Sequence, residues 1–514
     1  MCTLLKTDQV RPLNIKVKLQ IIKMAGDNLG KMDSPVKEEI FRTYDIRGYV
    51  EEDFTPDTVY TIGIAYSRML WEDGKVKYRK IAVGRDVRSS SEELASSLSK
   101  ALIHNGLDVI DLGVCTTPAL YYACHTMQVD GGIMITGSHN PPEYNGMKIC
   151  VGKETIFGED IQRLRRIIEE ELTPPRKETL SSAEGNLEEY LIIPDYRNYL
   201  EGKFSFMKEL NQELQSRRGS PLSVCVDAGN GTVGLVLPQL LNNLGFEVHP
   251  LYTKPDPSFP NHHPDPTELD NLQDLIEEVT SKGLECGLSF DGDGDRLGVV
   301  DEKGEVIWGD RLMLLYARDI LEEMKGEEKP TFIGEVKCSQ ILYDKISELG
   351  GRPIMWKTGH SLIKKKMKEE GAVLAGEMSG HLFFADRYFG YDDAVYAGMR
   401  LLEILLKKGT YLSHLLSDLP TSFITPEIRV ECPEEKKFKL IEELRDEVEK
   451  QRDSLPFNVR DVITIDGLRI VFEQGWGLVR ASNTQPMLVM RFEAESKELL
   501  QDYRDWLMSE VEKK

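Results

Sequence analysis

Strand-like and helix-like runs alternate along this chain, and the alternation begins again several times, which restricts the fold more than any other feature. Lys80-Ile-Ala-Val-Gly84 reads as a short strand and 89–105 as the helix after it. Val109-Ile-Asp-Leu-Gly113 and Gly132-Ile-Met-Ile135 are further strands. Such βαβα order predicts α/β layers. It restarts at Leu222-Ser-Val-Cys-Val-Asp227, at Thr331-Phe-Ile-Gly-Glu335 and, less similarly, after Pro426. The expectation is an α/β protein of four domains: three related mixed α/β units and a divergent C-terminal α+β domain. A length of 514 residues, too great for one core, agrees. The expected spans are 36–190, 191–304, 305–420 and 421–514. Residues 1–35 form an N-terminal extension expected to be disordered. The stretch before Met24 lacks a signal peptide's continuous apolar core, so Met24 or Met32 is the expected natural start. Thr173-Pro-Pro-Arg176 reads as a loop in or ending the first unit, 201–219 as a charged helical segment and 419–426 as the hinge to the last domain. A helix over 496–511 closes that domain.

Two loops carry the strongest chemistry. Thr136-Gly-Ser-His-Asn-Pro-Pro-Glu-Tyr-Asn-Gly-Met-Lys148 follows a strand, and Pro141-Pro142 and Asn145-Gly146 punctuate it. These dipeptides predict a stiff, exposed turn displaying Ser138. A rigid hydroxyl flanked by His139 and Lys148 is a candidate for covalent group transfer. In Asp291-Gly-Asp-Gly-Asp-Arg296, three carboxylates alternate with glycine between two strand-like runs. Their repulsion calls for a cation, and hard oxygen ligands suit Mg²⁺. An EF-hand is excluded, because Arg296 stands where that loop needs glycine and the flanks are strands.

Two further segments offer polar recognition. Gly376-Glu-Met-Ser-Gly-His381 pairs the acceptors of Glu377 with the Ser379 hydroxyl, which suits sugar hydroxyls. Arg480-Ala-Ser-Asn-Thr-Gln-Pro486, with Arg491 beyond it, gathers donors into a phosphate cradle. The net charge of −22 argues against a nucleic-acid partner, so an anionic substrate must be drawn by local cations. Arg47, Lys148, Lys337, Arg480 and Arg491 are the candidates, whereas Lys364-Lys-Lys366 and Lys407-Lys408 read as solvated helix faces. Eight scattered cysteines, none in Cys-x-x-Cys spacing, indicate neither zinc nor a disulfide framework and fit a reducing cytoplasm. No run approaches the length of a membrane span.

Further motifs are Phe41-Arg-Thr-Tyr-Asp-Ile-Arg-Gly48, Val83-Gly-Arg-Asp86, Val226-Asp-Ala-Gly-Asn-Gly-Thr232, Phe259-Pro-Asn-His-His-Pro264, Lys337 and His360. In this order, from about residue 36 onward, the chain resembles the phosphohexomutase superfamily and within it the phosphomannomutase/phosphoglucomutase branch. The resemblance implies four domains around a central cleft and reversible phosphate transfer between O1 and O6 of a hexose, through phosphorylated Ser138 and a hexose 1,6-bisphosphate. It implies Mg²⁺ held by Ser138, Asp291, Asp293 and Asp295, and proton transfer shared by Lys148, His139 and His381, with Arg47 stabilising the phosphoryl group. Tyr44, Lys337 and His360 would hold the sugar phosphate. Glu377, Met378, Ser379, Gly380 and His381 form the sugar loop, of the mannose/glucose type. Arg480, Ser482, Asn483, Thr484 and Arg491 would bind the non-reacting phosphate. A cytoplasmic monomer or weak dimer acting on small sugar phosphates, with no membrane partner, is expected. The alternatives are a phosphoglucosamine mutase, a catalytically silent sugar-phosphate binder, and a hydrolase using Ser138 and His139. The hydrolase is disfavoured because adjacent side chains rarely face one another and the Gly-x-Ser-x-Gly elbow is absent.

Overall fold

The computed structural model describes residues 36–171, 183–324, 329–482 and 487–513. The expected extension over 1–35 and the Thr173-Pro-Pro-Arg176 loop lie outside them. The first sheet contains β1 (Ile46–Tyr49), β2 (Lys80–Arg85), β3 (Asp108–Val114), β4 (Gly131–Ile135), β5 (Tyr144–Val151), β6 (Glu154–Thr155) and β7 (Leu187–Glu189). The second contains β8 (Ser223–Asp227), β9 (Glu247–Leu251), β10 (Cys286–Phe290), β11 (Leu297–Asp301) and β12 (Val306–Ile307). The third contains β13 (Thr331–Glu335), β14 (Arg352–Trp356), β15 (Leu374–Gly376) and β16 (Leu382–Phe384).

One topology recurs in all three. The orders β3-β2-β4-β5, β9-β8-β10-β11 and β14-β13-β15-β16 each set three parallel strands beside a fourth, antiparallel one. The fourth sheet differs, as expected. It is antiparallel, with β17 (Phe423–Ile424), β18 (Ile428–Glu431), β19 (Val459–Ile463), β20 (Leu468–Phe472), β21 (Gly475–Ala481) and β22 (Met487–Ala494), beside helices Glu434–Gln451 and Lys497–Glu512. The protein is therefore a four-domain α/β fold.

Local chemistry explains the placement of key elements. The Thr116 hydroxyl accepts the Ala119 N–H (3.1 Å) and caps helix Thr117–Thr126, with Pro118 in its first turn. Asp393 caps Ala394–Lys408 by accepting the Tyr396 N–H (2.8 Å), and Gly409 ends it at φ +60°. Three sequence expectations change. Asn145-Gly146 makes no turn, because both residues lie inside β5, where Gly146 faces the Ile46 carbonyl closely enough to exclude a Cβ. The segment over 201–219 belongs to two helices, Ile192–Lys203 and Met207–Arg218, separated where Phe204 enters the core. The expected hinge contains β17, whose Phe423 and Ile424 pair with β22.

The largest core cluster is shared by three units: Ala119 and Leu120, Val226 and Phe290, and Leu312 and Tyr396 belong to it. At its edge Asp393 accepts the Tyr196 hydroxyl (2.7 and 2.8 Å) and the Tyr388 hydroxyl (2.6 Å). Burial raises the Asp393 pKa to about 6, against the lowering effect of these donors. An unfolded aspartate titrates near about 3.9, so the folded chain binds this proton more tightly. The stabilisation is complete below that value and is lost as pH rises through 6. It amounts to about 1.4 kcal/mol between about pH 5 and 7.5. Asp393→Asn cannot titrate, so in thermal or urea unfolding the wild type should gain about this much over the variant at the lower pH. The same gap at both pH values would contradict the assignment.

Candidate active site

The repeated topology delivers the motifs to one place. In each unit the turn from the third parallel strand to the antiparallel fourth carries the chemistry. Ser138 lies between β4 and β5, the three aspartates between β10 and β11, and residues 377–381 between β15 and β16. Each turn leaves the carboxyl end of a parallel strand, the usual ligand edge of such sheets. Arg480 is the next-to-last residue of β21, and Ser482 follows the strand's end at Ala481. Asn483 and Thr484 lie outside the described residues.

Ser138 is not displayed on an exposed loop, since only 1% of it reaches solvent. It adopts a left-handed φ of +50°, costly for a side-chain-bearing residue. Its N–H bonds the Thr136 hydroxyl (2.8 Å), and its own hydroxyl donates to Asp291 Oδ2 (2.7 Å). Oγ also lies 3.3 Å from His139 Nδ1, so here adjacent side chains do face one another. Burial, reinforced by Arg296 and Arg47, holds the His139 imidazole well below its usual pKa. Arg47 donates to Asp45 (2.6 Å) and to the Asn140 side chain (3.2 Å), which places its cation beside the same loop.

The aspartate turn is buried, not solvated: Asp291, Asp293 and Asp295 have no exposed surface. Asp291 Oδ1 accepts the N–H groups of Gly294, Asp295 and Arg296 (3.0, 3.0 and 3.1 Å). Burial raises the Asp291 pKa strongly, and Asp293 and Asp295 add to the rise. Asp293 Oδ2 accepts the Thr117 hydroxyl (2.5 Å) and the Lys148 ammonium (2.7 Å), and Asp295 Oδ2 also bonds Lys148. Burial alone would lower the Lys148 pKa, but the three carboxylates outweigh it and hold the group above the ordinary lysine range. The Oδ1 atoms of Asp293 and Asp295 are buried without a hydrogen bond. Carboxylate oxygens of all three aspartates lie within 4.8 Å of one another. Two orphaned oxygens in an all-oxygen donor set fit Mg²⁺.

Asp295, His381 and Asp392 form a second such group, which hydrogen bonding assigns otherwise. Arg296 Nε, always a donor, bonds His381 Nε2 (3.0 Å). The proton of a neutral His381 is therefore on Nδ1, 3.2 Å from Asp392 and 3.6 Å from Asp295. A proton, not a metal, suits that position. Asp392 also faces His360 (3.6 Å) and Lys364 (3.0 Å). Lys364 is thus a site cation and not a solvated helix face. His360 stacks on His381 with centroids 5.6 Å apart. Lys407 likewise bonds Glu403 (2.7 Å) and is not free in solvent.

The turn over 377–381 docks on the aspartate turn. The carbonyl of Gly380, at φ +90°, accepts the Leu297 N–H (3.0 Å), and a Cβ on this glycine would collide with the Leu297 carbonyl. Glu377 accepts the Gly359 N–H (2.6 Å) and lies 3.4 Å from the Ser379 hydroxyl. The Met378 N–H donates to Glu335 (3.0 Å), which also accepts the Thr358 hydroxyl (2.5 Å) and lies 3.6 Å from Lys337. Lys337 Nζ is 3.5 Å from Glu427. Tyr44 spans the cleft, donating to the Thr358 carbonyl (2.7 Å) with its ring against Gly359. Arg480 pairs with Asp466 (3.1 Å), which accepts the Thr358 N–H (3.1 Å) and so joins the fourth domain to the third. Ser482 is buried, and its carbonyl accepts from Lys437. Arg491 is 2% exposed and donates to the Lys337 carbonyl, with Asp310 at 3.8 Å. That position braces the third and fourth sheets.

Sequence reasoning misses Asp392, Glu335 and Asp466. Only the first leaves a signal: tandem aspartates before an apolar helix provide one cap, Asp393, and one carboxylate to spare.

Comparison with known proteins gives a consistent result. The phosphoglucomutase/phosphomannomutase family models match in order: α/β/α domain I over 38–174, domain II over 204–304, domain III over 308–423 and the C-terminal domain over 427–509. A phosphomannomutase/phosphoglucomutase of Pseudomonas aeruginosa is 46% identical over 90% of this chain and 93% of its own. A phosphoglucomutase of Neisseria gonorrhoeae is 41% identical over 93% of this chain and 97% of its own. Among solved structures, a phosphoglucomutase/phosphomannomutase family protein from Burkholderia thailandensis aligns with a TM-score of 0.79 at 38% identity, covering 93% of this chain and 97% of its own. No helix among the described residues is long and apolar enough to cross a membrane.

Proposed function

The chain belongs to the phosphoglucomutase/phosphomannomutase family, and on that premise we propose that it interconverts hexose 1-phosphate and hexose 6-phosphate, with mannose and glucose as the sugars. The observation that carries this reading is the Ser138 hydroxyl held 2.7 Å from Asp291 among three buried carboxylates. In the resting enzyme Ser138 carries a phosphoryl group. A hydroxyl of the bound monophosphate attacks phosphorus, the bond to Ser138 Oγ breaks, and a 1,6-bisphosphate results. After the sugar turns over, its other phosphoryl group returns to Oγ. Asp291, Asp293, Asp295 and a phosphoserine oxygen would hold Mg²⁺, which offsets charge on the transferring group.

The chain's own groups do the rest. Lys148, His139 and His381 move the proton of the attacking and leaving hydroxyls, and the Arg296 N–H bonded to Nε2 leaves the proton of a neutral His381 on Nδ1. Arg47 stabilises the phosphoryl group near Ser138. Glu377 and Ser379 bind sugar hydroxyls that remain nearly equivalent when the sugar turns, with Tyr44, Lys337 and His360 beside them. Arg480, with Ser482, Asn483 and Thr484, clamps the non-reacting phosphate. Arg480 already pairs with Asp466, so the bound phosphate and the Asp466 carboxylate compete for one cation. Closure of the last domain over the substrate would exclude the water that hydrolyses phosphoserine. The seven free thiols among the described residues fit a reducing cytoplasm.

Coupled assays with glucose, mannose and glucosamine 1-phosphates test the reading. Turnover of the first two is expected, stimulated by the corresponding bisphosphate and abolished by chelation. Turnover of glucosamine 1-phosphate alone would favour the phosphoglucosamine alternative, and sugar-phosphate binding without turnover a silent binder. Arg480→Ala should weaken sugar-phosphate binding by about 10- to 100-fold, the loss of a charge-assisted hydrogen bond. It should slow phosphorylation of Ser138 less. Equal losses in direct binding and in phosphorylation would show that Arg480 is not the clamp.

A further inference from the structure

We propose that Arg88 is the positioning residue of the phosphoserine loop: its guanidinium is the internal frame that holds Ser138 in line for phosphoryl transfer. The inference rests on the function proposed above. Arg88 lies outside the four motifs and far in sequence from Ser138, yet it is only 3% exposed. All five of its N–H donors are engaged. Nη2 donates to the carbonyls of Ser138 (2.9 Å) and Asn140, and Nη1 to those of Pro141 (2.5 Å) and Tyr144 (3.0 Å). Nε donates to Asp86 (3.2 Å). Asp86 in turn accepts the Gly137 N–H (3.0 Å), the Arg88 N–H (3.0 Å) and the Ser91 hydroxyl (2.5 Å). One buried ion pair therefore grips the loop by an N–H at its start and four carbonyls along it.

The surroundings fit a frame around the guanidinium plane. A Cβ on Gly137 would lie 2.5 Å from Cζ of Arg88, so the backbone packs directly on the cation. The Phe259 ring of the second domain covers it, with its centroid 5.5 Å from Cζ. Ser138 itself sits at φ +50°, a conformation that persists only where neighbours over-determine it. Lysine supplies the charge but at most three donors, in no fixed plane. The loop's shape, more than the positive charge, then depends on arginine. Arg88 meets no substrate group directly. Its effect is on where Oγ points, which governs transfer and leaves sugar-phosphate binding to Arg480 and the sugar loop.

The experiment follows Ser138 phosphorylation by glucose 1,6-bisphosphate with intact-mass kinetics, beside direct binding of glucose 1-phosphate. In Arg88→Lys the phosphorylation rate should fall about a hundredfold, as expected when a reacting atom is misplaced by about an ångström. The dissociation constant of the sugar phosphate should stay within about twofold. In Arg88→Ala, added guanidinium ions at sub-denaturing concentration should restore part of the rate, and ammonium ions should not. An unslowed Arg88→Lys, binding and phosphorylation lost in equal measure, or equal rescue by ammonium would each overturn the proposal. Should both variants fail to fold, Phe259→Leu gives the reading: several-fold slower phosphorylation with unchanged binding supports the frame, and an unchanged rate overturns it. Wild-type protein that never takes up phosphate would overturn the proposed function as well, whereas wild-type uptake with an unslowed Arg88→Lys overturns only the role of Arg88.

Discussion

Replacing Ser138 with Ala should lower mutase turnover by on the order of five powers of ten, the scale seen when a covalent nucleophile is removed. The fold should survive. Ser138 Oγ makes one strong hydrogen bond, to Asp291, so its loss leaves one acceptor short in a cluster that already has neighbouring donors. The cost in stability should stay within about 1–3 kcal/mol. Two measurements separate the outcomes. Intact-mass analysis of wild-type protein during turnover should show one phosphoryl group that the variant lacks. Binding of glucose 1-phosphate should be nearly unchanged, because Arg480 and Glu377 lie on other domains. Near-normal turnover in the variant would remove the covalent step from the mechanism. Loss of turnover together with loss of phosphate binding would instead point to a collapsed cleft.

The parts of the site that sequence makes legible are those whose meaning is local. Three aspartates spaced by glycine repel one another wherever they are placed, so Asp291, Asp293 and Asp295 announce a cation before any fold is known. The strand–helix alternation likewise announces repeated α/β units, because periodicity of apolar residues is a property of a segment alone. What stays hidden is set by partners far along the chain. Asp392 is one carboxylate among 86 acidic residues until the fold sets it against His360, Lys364 and His381. Asp466 acquires its role from Thr358 and Arg480, and Arg88 from the carbonyls of 138–144. Burial is misjudged for a related reason. The Pro and Gly punctuators around Ser138 usually signal a surface turn, but the second unit's aspartate turn covers this one. Gly292 approaches the Ser138 carbonyl so closely that a Cβ there would lie 2.6 Å from it. Asn145-Gly146 fails as a turn signal because both residues pair with β1.

Lys148→Met should separate the two demands placed on this cluster. In the wild type the ammonium bonds Oδ2 of Asp293 and of Asp295, and all three groups are buried. Methionine fills similar space without charge, leaving two carboxylates unpaired, and breaking a buried pair in this way costs about 3–5 kcal/mol. Thermal unfolding without divalent cations should show that loss. Metal binding should respond in the opposite sense. Lys148 uses the Oδ2 atoms, while the Oδ1 atoms of Asp293 and Asp295 carry no hydrogen bond, so removing the ammonium blocks no ligand and deletes a repelling positive charge. Mg²⁺ should therefore bind the variant more tightly by calorimetry and stabilise it more than it stabilises the wild type. Turnover should nonetheless fall by about 10²- to 10⁴-fold, the usual contribution of a positioned proton donor or acceptor. Tighter metal binding with poorer catalysis is the signature of a lysine that neutralises the cluster and serves the reaction. Weaker Mg²⁺ binding in the variant would mean that Lys148 instead holds the carboxylates in the arrangement the ion requires.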